Sequence, residues 1–449
     1  MTIHSDWSRL LHDECPEAFH ADPPQKNPQV GVIDGHLQLM SLHRGLASWD
    51  AFVQYLFVKP VMQLFAAGCP RVVLCFDCYD HVPVYKSMTQ TKRVNRKEVC
   101  VFNADQSLPP TIPDDPMLYL MNRAFKLKVV ELVIERAPAL ILSKMHAEQE
   151  FILDYKRVVI FSHKDAIPRV MPELVPMGES DVKFCRYVDF YGNALVHAID
   201  GDYLAIALLY YTQHEPGNGN RIHICRQLAT FPEPASKANK KQKKEPAPKT
   251  EPVAKRKIVK CWVDVQMLYL TITQAMWQSA GRDTLLNAQT GAGFSDADAV
   301  HAAVFLMLMA GTDFSRSLPW LGPRRMWEYL PCIVASLMQA AAIDAPVENT
   351  VGMATDLVTA KLYRCIFEKH CGTGTSFDKT MSLLQHSGLS VSVRAKLPSK
   401  PQLVTTIQNV MWVMAYWKTH NGLIATPLDG SNGFERFEGN IMFSDMIAC

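Results

Sequence analysis

Residues 71–77 read RVVLCFD, an unbroken apolar run closed by a carboxylate. VGVID at 30–34 and ALVHAID at 194–200 repeat the form. A strand apolar at successive positions buries both faces, the habit of a parallel sheet held between layers of helices. Segments of helical character separate these runs at 49–67, 84–98 and 117–136, and Pro60 predicts a kink or break in the first. Residues 157–161 and 221–225 read as further strands. The alternation predicts an α/β fold with a parallel sheet flanked by helices. Beyond Ile258 the chain reads as helical, with 434–443 ambiguous.

The chain has 449 residues, of which 48% are hydrophobic and 20% charged, enough apolar content for a sizeable core. No apolar run reaches the ~18 residues of a spanning helix, so no membrane partner is expected. The opening MTIHSDWSRLLHDECPE is acidic and has no apolar core, which argues against a secretory signal. The twelve cysteines are scattered singly, as expected of reduced intracellular thiols. Cys75 and Cys78 form a C-x-x-C without a second pair at zinc spacing, and buried strand thiols are the preferred reading. The absence of a G-x-x-x-x-G-K-[ST] argues against a P-loop NTPase.

The net charge of +2 conceals a division. Residues 236–257, SKANKKQKKEPAPKTEPVAKRK, carry +7 and leave −5 on the remainder. Three prolines and few large apolar side chains make this segment a disordered basic linker by composition. It could touch phosphate, serve as a nuclear address, or act only as a solvated connection.

Carboxylates recur where ligands bind in open parallel sheets, beyond the carboxyl ends of the strands. Asp34, Asp77 and Asp200 close apolar runs; Asp202 follows in IDGD; Glu179 and Asp181 repeat the spacing in GESD; Asp313 stands in AGTDF. Each alone is a commonplace turn former or helix cap. Together they would repel unless a cation neutralised them. Hard oxygen ligands in excess of nearby bases suit Mg²⁺ or Mn²⁺ rather than zinc.

In this order and context the chain resembles the flap endonuclease superfamily of 5′ nucleases, with their PIN-like catalytic core. The matching segments are VGVIDG, VVLCFD, GESD, IDGD and AGTDFSRSLPWLGPRRMWEYL, spread over residues 7–331. The resemblance implies phosphodiester hydrolysis in DNA with two Mg²⁺ ions, Mn²⁺ serving as a substitute. Asp34, Asp77, Glu179 and Asp181 would support one ion, and Asp200, Asp202 and Asp313 the other. It divides the chain into an N-terminal part of the core at 1–235 with a helical gate near 101–145, the linker, the rest of the core at 258–335, and a helical region at 336–449.

Lys86, Arg93 and Lys97 share one face of a helix that follows the Asp77 strand. The family carries a Lys and an Arg seven apart in this helix, which implies that Lys86 and Arg93 stabilise the scissile phosphate; Lys97 would add nucleic-acid contact. Gly322, Arg324 and Arg325 fall in the segment resembling the family's helix–two-turn–helix, whose free backbone N–H groups and charges grip duplex DNA without reading bases. The chain departs from the family at Met40, where an aromatic or His often stacks on a base, and at Asp181, one methylene shorter than the usual Glu. No sliding-clamp motif is evident near the C-terminus. Two other readings stand beside a structure-specific DNA nuclease. One is a 5′–3′ exoribonuclease, suggested by GESDVK and LPW. The other is a non-catalytic scaffold, against which the retention of seven mutually repelling acids argues.

Overall fold

A computed structural model of the protein describes residues 3–22, 27–42, 46, 48–77, 100–171, 174, 180–198, 200–214, 220–230, 257–280, 295–309, 323–324, 327, 399–418, 434–437 and 440–443. The fold is α/β, built on one nine-stranded mixed sheet with parallel strands at its centre. The parallel strands are β2 (Val30–Asp34), β3 (Arg71–Cys75), β4 (Glu150–Asp154), β7 (Ala194–His197) and β8 (Ile222–Thr230). The edges are antiparallel: β1 (Phe19–His20) and β9 (Lys257–Asp264) beside β8, and β5 (Val158–Ser162) and β6 (Arg169–Val170) beside β4. The spatial order is β1-β9-β8-β7-β2-β3-β4-β5-β6.

Period-two alternation assigns the side chains of the central strands to two cores. Val30, Val32, Val73, Cys75, Ile152 and Val196 enter one cluster, while Ile33, Val72, Leu74, Phe151, Leu153 and Leu195 enter the other. The first cluster is covered by α1 (Ile3–Glu14), α7 (Ser180–Tyr191), α8 (Asp202–Gln213), α9 (Val265–Ala280), α10 (Asp296–Met309) and α11 (Lys400–Lys418). The second is covered by α2 (Gly35–Leu39), α3 (Trp49–Val53), α4 (Lys59–Ala66), α5 (Pro116–Leu120) and α6 (Arg123–Leu142). Among the described residues no helix is long and apolar enough to cross a membrane.

The sequence reading needs two corrections here. The third parallel strand is Glu150–Asp154, and the strand expected at 157–161 is its antiparallel hairpin partner, because only a tight turn separates EFILD from VVIFS. The region after Ile258 is not wholly helical: Lys257–Asp264 pairs antiparallel with β8, and Phe434–Phe437 pairs with Asn440–Phe443 in a separate hairpin of β10 and β11. The sheet is therefore mixed rather than parallel throughout. The interruption expected from Pro60 is present: regular α-helix stops at Val53 and resumes at Lys59. A π turn at Gln54–Val58 links α3 to α4 and absorbs the geometry imposed by a residue without an N–H. The segment expected to form a gate contains α6, whose Phe125, Val129, Val130 and Val133 are fully buried in the second core. The linker up to residue 256 and the strand-to-helix segment at 84–98 lie outside the described residues.

Candidate functional site

The chain runs outward from β2 to β3 and β4 on one side, then returns to β7 beside β2 and continues to β8 on the other. Strand order reverses between β2 and β7, the place where open α/β sheets bind ligands, in the crevice beyond the carboxyl ends of the strands. Register aligns those ends: Asp34 pairs with Cys75, Cys75 with Asp154, and Ile33 with His197. The carboxylates that end β2, β3 and β4 are thereby delivered to the same end of the sheet.

Asp34 caps α2, its Oδ1 accepting from the Leu37 N–H at 3.0 Å. Gly35 follows because a Cβ there would meet the buried Phe76 ring at 2.5 Å. Asp77 lies just beyond β3. Its Oδ1 accepts from the Ser180 N–H at 2.9 Å and from the Ser180 hydroxyl at 2.8 Å, while that hydroxyl also stands 3.2 Å from Asp34 Oδ1. One serine at the start of α7 thus joins the carboxylates of β2 and β3. His36 Nδ1 accepts the Asp77 N–H at 3.0 Å, which places the ring proton of the neutral imidazole on Nε2, and lies 3.6 Å from Asp77 Oδ2.

Burial first, then the Asp77 carboxylate, pushes Asp34 up to about 6; the Leu37 N–H and the Tyr203 hydroxyl pull the other way, and Asp200 adds to the rise. Asp200 is exposed, and its Oδ1 accepts from the Asp202 N–H at 3.3 Å. Asp181 and Asp202 are buried in the first turns of α7 and α8. Tyr203, fully buried, feels both Asp34 and Asp181, and burial with these charges raises its pKa well above the usual phenol value. On the far side Arg226 of β8 is buried, donates to Ser8 of α1 at 2.5 Å, and feels Asp200 and Asp202. Burial pulls its pKa down against those two carboxylates.

Of the residues singled out in the sequence, Asp34 and Asp77 are brought onto one serine, Asp200 acts on Asp34, Asp181 reaches the same Tyr203 as Asp34, and Asp202 lies beside Asp200. Arg324 is exposed. Glu179, Asp313, Lys86, Arg93, Lys97, Gly322 and Arg325 lie outside the described residues. Among the described residues no three His, Cys, Asp or Glu side chains converge closely enough to hold a metal ion by themselves. Cys75 is buried in β3, where burial and then Asp154 raise its thiol well above the usual range, so no thiolate is offered there. His36, 8% exposed, orients the end of β3 and is not a surface for stacking.

No protein-family model matches the chain, and no curated protein matches it.

Several residues of the site were not singled out in the sequence. Asp154 closes the apolar run EFILD in the same manner as Asp77 closes its own, and that pattern was available to be read. Ser180, Lys183 and Tyr187 share a helix face by their spacing, but nothing in a lone sequence says which polar helix face is buried. Arg226 carried no signal, since an Arg in a strand ordinarily reads as an edge.

Proposed function

We propose that the protein is a metal-dependent 5′ nuclease that hydrolyses phosphodiester bonds in DNA, with a PIN-like catalytic core. The observation that carries this reading is the pair Asp34 and Asp77 held on Ser180 at the strand-order reversal, with Asp200 close enough to raise Asp34. Buried carboxylates this close to one another raise each other's proton affinity, a cost that a bound cation relieves. The acids singled out offer only oxygen donors, which fits Mg²⁺ or Mn²⁺. Asp34 and Asp77 would hold such an ion together with Glu179 and Asp181, and Asp200, Asp202 and Asp313 would hold a second. When bound, the ions supply an activated water and neutralise charge on the phosphate.

The chain's own residues do the rest of the work. Ser180 and His36 fix the rotamer and backbone of Asp77, and the Leu37 N–H fixes Asp34. Lys86 and Arg93, on the segment after β3, would meet the scissile phosphate as charge develops. Arg324 and Arg325 would hold a duplex through its phosphates.

The test offers flap, nicked duplex, single-stranded DNA and 5′-phosphorylated RNA side by side with Mg²⁺. Cleavage of the flap or nicked substrates, lost by a factor of roughly a hundred or more in Asp34→Asn and Asp200→Asn, is expected. Undiminished cleavage in excess EDTA would overturn the metal-dependent reading. Cleavage confined to the RNA would replace the DNA nuclease with an exoribonuclease.

A further inference from the structure

Below the carboxylate crevice lies a second polar group, wholly enclosed. Lys183 of α7 is 1% exposed, yet its Nζ donates to Asp154 Oδ1 at 2.6 Å and to the Phe76 carbonyl at 2.8 Å. Tyr187 donates to the other Asp154 oxygen at 2.8 Å. Asp154 ends β4, and Phe76 immediately precedes Asp77. The Phe76 N–H in turn donates to the Asp154 carbonyl at 2.8 Å, extending the β3–β4 ladder by one rung.

These contacts account for the end of β3 atom by atom. The Phe76 N–H is held by Asp154, the Phe76 carbonyl by Lys183, the Asp77 N–H by His36, and the Asp77 carboxylate by Ser180. Ser180, Lys183 and Tyr187 fall at i, i+3 and i+7 on α7, so one helix face carries all three. That face grips backbone and carboxylate together. Replacing a buried ion pair by apolar groups is often tolerated, so an enclosed Lys–Asp pair is not required for stability as such. Its geometry says what else it does.

We propose that Lys183 is a positioning residue for the nuclease site: its ammonium, balanced by Asp154, fixes the Phe76 carbonyl and so sets the Asp77 carboxylate where a divalent cation is held. The proposal rests on the metal-dependent reading of the crevice. Lys183 touches neither the ion nor the substrate. It acts through the rigid peptide plane that joins the Phe76 carbonyl to the Asp77 α-carbon, a small tilt of which swings the carboxylate.

The full-length protein is titrated with Mn²⁺ by calorimetry, and its Mn²⁺ electron paramagnetic resonance spectrum is recorded. Lys183→Met alone would strand Asp154 as a buried charge and could fail to fold. The deciding variant is therefore the double change Lys183→Met with Asp154→Asn, which removes both charges and leaves an acceptor for Tyr187. Ile407→Val, in α11 of the same core, is the control for general loosening. The expected result is a native circular dichroism spectrum, Mn²⁺ affinity weakened roughly ten- to hundredfold in the double variant, and an altered Mn²⁺ spectrum. The control should bind Mn²⁺ as the unaltered protein does. A double variant that binds Mn²⁺ as tightly as the unaltered protein, or loses no more than the control, would overturn the positioning role and leave the nuclease reading intact. Absence of Mn²⁺ binding by the unaltered protein would overturn both.

Discussion

Asp34 and His197 occupy neighbouring strands and answer acid in opposite directions. Folded Asp34 keeps its proton up to about 6, whereas an unfolded carboxyl releases it near 3.8. Between these values the folded state holds more protons, so this residue makes stability rise as pH falls. His197 accepts or donates at 3.2 Å with Gln38, and burial, then the Lys260 charge, lowers its pKa to about 4. There the unfolded state takes up the proton first, near 6.5, so this residue makes stability fall as pH falls. Each contribution is on the order of 3 kcal/mol, and in the metal-free protein they largely offset one another. Asp34→Asn removes one side. Its melting temperature in EDTA should drop more steeply between pH 7 and pH 4.5 (about the range of both transitions) than that of the unaltered protein. Parallel pH profiles for the two proteins would show that Asp34 ionises normally.

At the scale of elements, the junction of β2 and α2 is the tightest point near the crevice. Gly35 has no room for a side chain, since a Cβ would lie 2.5 Å from Phe76, whose ring is fully buried and packs edge-on to His36 with centroids 5.7 Å apart. Gly35→Ala must displace that ring or the strand end beside it. Overpacking of this kind costs about 1–3 kcal/mol, and denaturant unfolding should register it as a lower midpoint. A midpoint unchanged from the unaltered protein would show that Phe76 has freedom the packing denies it. Gly192 serves a different need: with φ of 99° it turns the chain out of α7 and toward β7, which a side chain would resist. α11 belongs to the same scale. Its Leu403, Ile407, Val410, Val413 and Trp417 are buried in the first core, so Ile407→Ala should cost about 2–5 kcal/mol although it lies some hundred residues in sequence beyond α10.

For the molecule as a whole, the basic linker enters and leaves the sheet at one place. Thr230 and Lys257 are paired partners at the ends of the β8–β9 ladder. A short turn can therefore join them. Replacing residues 231–256 by a four-residue Gly/Asn turn should leave the melting temperature within a few degrees, because shortening a loop changes its closure entropy by only about 1–2 kcal/mol. The same deletion should weaken nucleic-acid binding mainly at low salt, as a Lys-rich segment acts through released counterions. A collapse of the melting temperature would show that these residues pack on the body. A salt dependence left unaltered would show that the positive charge never meets phosphate.

The fold class was legible in the residues themselves. Runs such as VGVID and RVVLCFD are apolar at positions that alternate between two buried faces, and only a sheet covered on both sides accommodates that. Their terminal carboxylates were legible for the same reason, since a charge ends an apolar run wherever the strand leaves the core. The hairpin of β4 and β5 and the return of β9 were not, because antiparallel edges depend on which strands find each other and not on local pattern. Nor was the assignment of Asp154. By sequence it stands level with Asp34 and Asp77, yet the enclosed ammonium of Lys183 and the hydroxyl of Tyr187 turn it inward as half of an ion pair. Whether a carboxylate faces a crevice or a buried cation is decided by the helix that packs over it, and that packing is a property of the tertiary structure alone.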